Sequence, residues 1–417
     1  MQKRTVYFGI VALLLGIVWG SGRLLTAQAA GDTTAIRAAP LQADATPTPA
    51  AMPGMDMPAA GSAMTGTMSG MDHSMAGMNT SEVVTDTLAG GTSATDVMPG
   101  MVEGGSGATE MDMVGHDMAP VAGESAPPAT ETVGGQPLDY VLDGDTKVFT
   151  LTAQVVQWPI MEGVTMTAYT YNGVVPGPLL RVTEGDKVRV VLQNELPEAT
   201  SIHWHGILVP NSMDGVSGVT QAAVEPGATF TYEFVAKPAG SFMYHSHTDS
   251  DKQVGLGLYA PFIIDPAEPE ASTPDLDVVM MLSEARIVNG QTYESMPMAG
   301  AEPNYFLING KAFPATETIQ VKQGDRVRVR FMGIGQFVHP MHLHGLPFKI
   351  VATDGYPVPE AAQLTKDTVL VSPGERYDIE FVAEETGKWV VHCHILHHTT
   401  NDGVEPGGLM MMFDVTE

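Results

Sequence analysis

From Gln136 onward the chain runs in short segments in which apolar and polar residues alternate, separated by Gly, Pro and Asn. Residues 187–192, 229–235, 326–331 and 378–382 show the pattern most clearly. A period of two turns one side of each segment toward a core and the other toward water, which predicts strands and not helices. Strands at this spacing, with few helical stretches, predict an all-β fold built from β-sandwich domains.

The same pattern occurs twice. Asn172-Gly173 leads through Pro176-Gly177-Pro178 to Glu184-Gly185-Asp186-Lys187-Val188-Arg189-Val190 and then to His203-Trp204-His205-Gly206. Later, Asn309-Gly310 leads to Gln323-Gly324-Asp325-Arg326-Val327-Arg328-Val329 and then to His342-Leu343-His344-Gly345. Each copy passes a Pro-Gly turn (Pro226-Gly227, Pro373-Gly374) and closes on strand residues before a second histidine pair. Two related domains are therefore expected, at 136–265 and 274–417, joined by a Pro- and Glu-bearing linker; each has the size of one sandwich domain.

Upstream the texture is different. Lys3 and Arg4 precede an apolar run between Val6 and Val18, and Ala27-Gln28-Ala29 fits a small-residue cleavage site. Residues 1–29 thus read as a signal peptide for export to the periplasm or beyond, with an uncleaved membrane anchor as the alternative. Residues 30–135 contain no aromatic residue and carry 13 Asp or Glu against Arg37 alone. Such a stretch cannot bury enough surface to offset chain entropy, so a disordered acidic segment is expected. It holds 13 methionines between Met52 and Met118, often beside Asp or His, as in Met71-Asp72-His73-Ser74-Met75. Thioether sulfur is a soft ligand that selects Cu(I), against the plainer reading of a biased linker.

A net charge of −28 excludes nucleic acid as a partner, because phosphates demand basic surfaces. The single cysteine rules out an intramolecular disulfide.

That cysteine lies within the most informative feature of the chain. Of 13 histidines, all but His73, His116 and His397 fall in four clusters: His203/His205, His245/His247, His339/His342/His344, and His392/His394/His398 around Cys393. On a strand, i and i+2 share a face, so each His-x-His delivers two imidazoles to one side. Eight of these (His203, His205, His245, His247, His342, His344, His392, His394) are too many for one ion and suit three, with positions open to a small ligand. His339, Cys393 and His398 form a separate set, the two-imidazole, one-thiolate trigonal arrangement of a blue-copper centre; zinc, the competing metal, would need four strong ligands in a closed site. Cys393 sits directly between His392 and His394, so an electron on the thiolate has only a short covalent path to the larger cluster.

With all four motifs present in order, residues 136–417 resemble a multicopper oxidase, the laccase-like family of cupredoxin domains. The resemblance implies four coppers per chain. His339, Cys393 and His398 would hold type 1 copper, and His203 and His342 type 2. His205, His245 and His394 would hold one type 3 ion, and His247, His344 and His392 the other. It implies O2 as acceptor and a small reducing donor, whether a phenol, an aromatic amine or a low-valent metal ion, with electrons leaving the donor near His398 or His339. It also implies a homotrimer in which domain 1 of one subunit meets domain 2 of the next; such a head-to-tail contact must close into a ring. Copper nitrite reductases, the nearest cousins, carry the thiolate in the first domain, where this chain has none. A copper-sequestering protein whose methionine segment is the working part is the rival from another class. In most laccases the axial residue lies ten positions after the cysteine, here Gly403, which has no side chain to offer; Met410, beyond an apparent loop insertion, is the expected axial ligand. Asp214 matches a family acid near the type 2 copper and the O2 channel.

Overall fold

The computed structural model describes residues 119–417 apart from 124, 271 and 272. The expected signal peptide and nearly all of the methionine-rich segment lie outside the described residues. Among the described residues no helix is long and apolar enough to cross a membrane.

The fold is all-β, as expected, and each half of the chain builds two facing sheets. In the first half, Thr146–Met161 pairs parallel with Lys187–Asn194 and antiparallel with Val164–Tyr171, and Thr229–Val235 closes that sheet. The facing sheet runs Leu180–Thr183, Tyr259–Asp265, Gly240–His245, His203–His205. The second half repeats this order. Leu276–Val288 pairs parallel with Arg326–Gly333, which pairs with Arg376–Val382. Opposite lie Thr318–Lys322, Met410–Thr416, Gly387–Cys393, His339–Leu343 and Thr368–Val371. The repeat seen in the sequence is thus a repeat of strand pairings, and both copies place their histidine strands toward the same side of the second sheet, at its edge in the first half and one strand in from it in the second.

Alternation does the folding. In Lys187–Asn194 the inward residues Val188, Val190 and Leu192 are buried, and they pack with Phe149, Leu151, Trp204, Tyr244 and Phe262. In the second half Val327, Val329 and Phe331 do the same against Met341, Val391, Cys393 and Phe413. Each fully buried large side chain contributes about 1.5–3 kcal/mol. A third cluster, with Trp158, Tyr259, Met281, Leu307 and Met332, fills the junction between the halves. There the Trp158 indole N–H donates to the Gly310 carbonyl at 2.7 Å and Lys311 caps the ring.

One boundary differs from expectation. The stretch ending at 135 was expected to be without structure, yet its last part is held along the sandwich. Val121 is buried and its N–H donates to Thr292, Ala129 donates to Gln157, and Gly135 donates to Pro176. Gly134 passes so close to Val175 that a Cβ would fall 2.2 Å from its carbonyl oxygen. Main-chain hydrogen bonds hold this strap, so a composition poor in aromatics gave no sign of it.

Candidate metal centre

The first histidine group hangs on two paired strands. Register places His203 opposite His245, and His205 and His247 follow by alternation. The four rings face one another, with His203 centroids 5.4 Å from both His245 and His247. Main-chain carbonyls set their orientation. His203 Nδ1–H donates to the Asp214 carbonyl at 2.8 Å, and His245 Nδ1–H to the Ser246 carbonyl at 2.9 Å, so both rings turn Nε2 toward the group. Gly215 makes the first contact possible: at φ +83° it lies against Ile202, where a Cβ would fall 1.7 Å from the carbonyl oxygen. Asp214 therefore contributes chiefly its carbonyl, its carboxylate being 3.5 Å from the same nitrogen.

The second group mirrors the first. His342 stands opposite His392. His342 Nδ1–H donates to the Asp367 carbonyl at 2.9 Å and His392 Nδ1–H to the Cys393 carbonyl at 2.8 Å, while His344 and His392 approach through their Nε2 atoms at 2.9 Å. His394 joins with its ring 5.7 Å from those of His342 and His392. Burial pushes His205 down to about 4, aided by Arg376, and His245 down to about 3; His344 and His392 are lowered for the same reason. These four shifts favour the neutral imidazole, the form that metal binding requires. Among the described residues no hydrogen bond or ring contact joins one group of four to the other. His247, His344 and His394 are exposed.

The third set is compact and buried. Cys393 Sγ lies 3.5 Å from His398 Nδ1 and 3.9 Å from His339 Nδ1, and the two nitrogens are 3.2 Å apart. Three donors at ordinary metal–ligand distances around one trigonal ion would stand roughly 3.5–3.7 Å apart. The triangle therefore fits a single ion. Burial pushes the Cys393 thiol up to about 12 and His398 down to about 3, so the thiol would lose its proton to solvent once a bound cation stabilised the thiolate.

Met410 is not part of this set. It pairs with His392, on the face turned away from Cys393. Opposed residues of an antiparallel pair share a face. The Cys393 N–H instead donates to the Leu409 carbonyl at 3.0 Å, and Leu409, Met411 and Phe413 pack in the same buried cluster as Cys393. The side of the strand expected to present Met410 to the sulfur therefore presents Leu409 instead. Three adjacent methionines had left the register open, and pairing with the strand Gly387–Cys393 fixes it.

Two features were not legible beforehand. Glu284, buried in the strand Leu276–Val288, accepts from His339 Nε2–H at 2.7 Å and from the Gln336 N–H at 3.1 Å. A lone carboxylate within Met280-Met281-Leu282-Ser283-Glu284-Ala285 was the available signal. The other is a buried polar clamp between the domains. Arg330 holds Asp277 through Nε (2.6 Å) and Nη2 (3.0 Å), and Nη1 reaches Ser241 Oγ at 2.7 Å and Asp378 at 3.1 Å. Ser241 Oγ donates in turn to Asp378 at 2.7 Å. Ser241 is the second residue of the strand that ends at His245, so this clamp and Arg376, bonded to the Ser241 carbonyl, tie the second domain to the first histidine group.

Comparison with known proteins agrees with this geometry. Residues 152–269 and residues 288–417 each match a family model described as multicopper oxidase. The chain is similar to copper resistance protein A of Pseudomonas syringae pv. tomato, 31% identical over 51% of this chain and 42% of that protein. It is similar to the multicopper oxidase MmcO of Mycobacterium tuberculosis, 31% identical over 58% of this chain and 52% of that one. Among solved structures, the blue copper oxidase from Nitrosomonas europaea superposes with a TM-score of 0.60 at 36% identity, covering 64% of this chain and 85% of the other. The chain spans about half the length of the curated relatives it matches.

Proposed function

Because the chain belongs to the multicopper oxidase family, we propose that it is an exported, laccase-like oxidase that takes electrons one at a time from phenols, aromatic amines or low-valent metal ions and delivers them to O2. The observation that carries this reading is the place of Cys393. Its sulfur closes the compact triangle with His339 and His398, and its two peptide neighbours, His392 and His394, belong to the second imidazole group.

Copper, when bound, would supply the redox chemistry: oxidation of the donor at a type 1 site and reduction of O2 to water at a three-ion cluster. The chain's own residues set the conditions for it. Cys393, His339 and His398 would hold the type 1 ion, and the hydrogen bond to Glu284 fixes the His339 ring. His203 and His342, each steered by a carbonyl, would share the type 2 ion; His205, His245 and His394 would hold one type 3 ion, and His247, His344 and His392 the other. The main chain through Cys393 gives the electron a covalent path of a few bonds between sites.

A homotrimer follows from the same reading. What supports it is that the two imidazole groups make no mutual contact among the described residues, each with exposed rings. Each needs a complement, and a contact between unlike domains closes only as a ring.

The test is copper-loaded protein with its metal counted, its visible spectrum recorded and its mass measured in solution. Oxygen uptake is then followed with phenols, Cu(I), Fe(II) and Mn(II). Four coppers per chain, an intense red-region absorption, a trimeric mass and uptake with at least one donor are expected; a metal count well short of four removes the reading. The axial assignment has its own outcome. L409M should lower the type 1 reduction potential, because a thioether stabilises the oxidised ion better than an aliphatic group does. Redox titration of the blue absorption checks this, and an unchanged potential would return the axial position to another residue.

A further inference from the structure

Both imidazoles of the Cys393 centre are closed to solvent. His339 is fully buried, with its outer nitrogen taken by Glu284. His398 is 1% exposed, stacked on Phe306 with centroids 4.0 Å apart and edge-on to Phe337 at 6.0 Å. Electrons were expected to leave a donor at the outer edges of these two rings, and neither edge forms a surface.

The polar group on this cover is His397. Its ring stands at 80° to that of His398 with centroids 4.4 Å apart, and 5.8 Å from Phe306. It is exposed, on the turn Leu396–Thr399, beside Leu396, which is 64% exposed. The His397 carbonyl accepts from Thr400 Oγ1. Among the described residues, neither ring nitrogen has a hydrogen-bond partner in the protein. The other histidines of the four motifs are committed to one of the two imidazole groups or to the cysteine set. An imidazole with both nitrogens free, packed on a ligand ring and open to water, has the chemistry of a contact group.

We infer that His397 is the donor-contact residue: an aromatic donor bearing O–H or N–H hydrogen-bonds to its free ring nitrogen beside Leu396. The electron then crosses the His397–His398 ring contact to the cysteine-bound centre. This rests on the type 1 reading of His339, Cys393 and His398. The step balances simply. A phenol loses one electron to the oxidised centre, which is reduced by one, and the phenol proton passes to water.

The experiment is H397F in the copper-loaded, full-length protein. Phenylalanine keeps the ring cover and removes the nitrogen. Anaerobic bleaching of the blue absorption is timed with a phenol and with ferrocyanide, which has no hydrogen to donate. Loss of one hydrogen bond should raise the phenol concentration needed for half-maximal bleaching about tenfold, with the ferrocyanide rate and the spectrum unchanged. No change with either donor, or equal slowing of both, would overturn the assignment, since the ring would then be packing alone. The unsubstituted protein gives a second, non-kinetic readout that does not depend on the variant folding. Carbethoxylation mapped by mass spectrometry should find His397 reactive and a saturating phenol protective; a reactive but unprotected or an unreactive His397 also overturns it. A blue protein with indifferent H397F sinks this inference alone, whereas unsubstituted protein without the blue absorption sinks it together with the type 1 reading.

Discussion

Replacing Cys393 with serine should abolish both the intense visible absorption and oxygen uptake, while most of the remaining copper stays bound. The thiolate is the chain's only sulfur donor of this kind. A hydroxyl in its place cannot ionise beside two neutral imidazoles at ordinary pH, so the strongest donor of the triangle disappears. Four of the eight cluster imidazoles, those of His203, His245, His342 and His392, are oriented by the carbonyls of Asp214, Ser246 and Asp367 and by that of residue 393 itself, none of which the substitution removes. The expected result is therefore selective: the copper content falls by about one ion in four, and turnover ends. Metal analysis, the visible spectrum and oxygen consumption on one preparation check it. A C393S protein that still consumed oxygen with a phenol would break the proposed electron route.

The second large effect is on stability. R330M should destabilise the protein by about 3–5 kcal/mol, because it leaves buried carboxylates without their cation. Asp378 is 5% exposed, and burial already raises its carboxyl above the usual range despite Arg330. Asp277 would keep Arg181 at 3.1 Å, but Asp378 would keep only Ser241 and more distant charge. Denaturant unfolding of the copper-loaded protein measures the loss. Since Ser241 lies in the strand that carries His245, metal in the imidazole cluster should loosen before metal at Cys393 does. A midpoint shift worth less than 1 kcal/mol would show that the clamp behaves as a surface ion pair.

How much of this was legible in the sequence varied with the range of the interaction. Histidine pairs two residues apart on a strand share a face by geometry, so the grouping of His203 with His205 and of His392 with His394 needed no tertiary information. The all-β fold followed from the same period of two. Register failed where the sequence was degenerate: Leu409-Met410-Met411-Met412 offers the same hydrophobicity at every phase, and only pairing with the strand Gly387–Cys393 shows which residue faces the sulfur. Glu284 was hidden for another reason, since its partner His339 is 55 residues away. The strap between Val121 and Gly135 escaped notice because it is held by main-chain groups that every residue possesses.

The separation of the two imidazole groups has a consequence beyond geometry. If neighbouring chains must complete each pocket, mass action governs catalytic output as well as assembly. A newly released, dilute chain would be almost inert toward oxygen, and specific activity would rise steeply with abundance. The enzyme would then be silent at trace levels and switched on by its own accumulation.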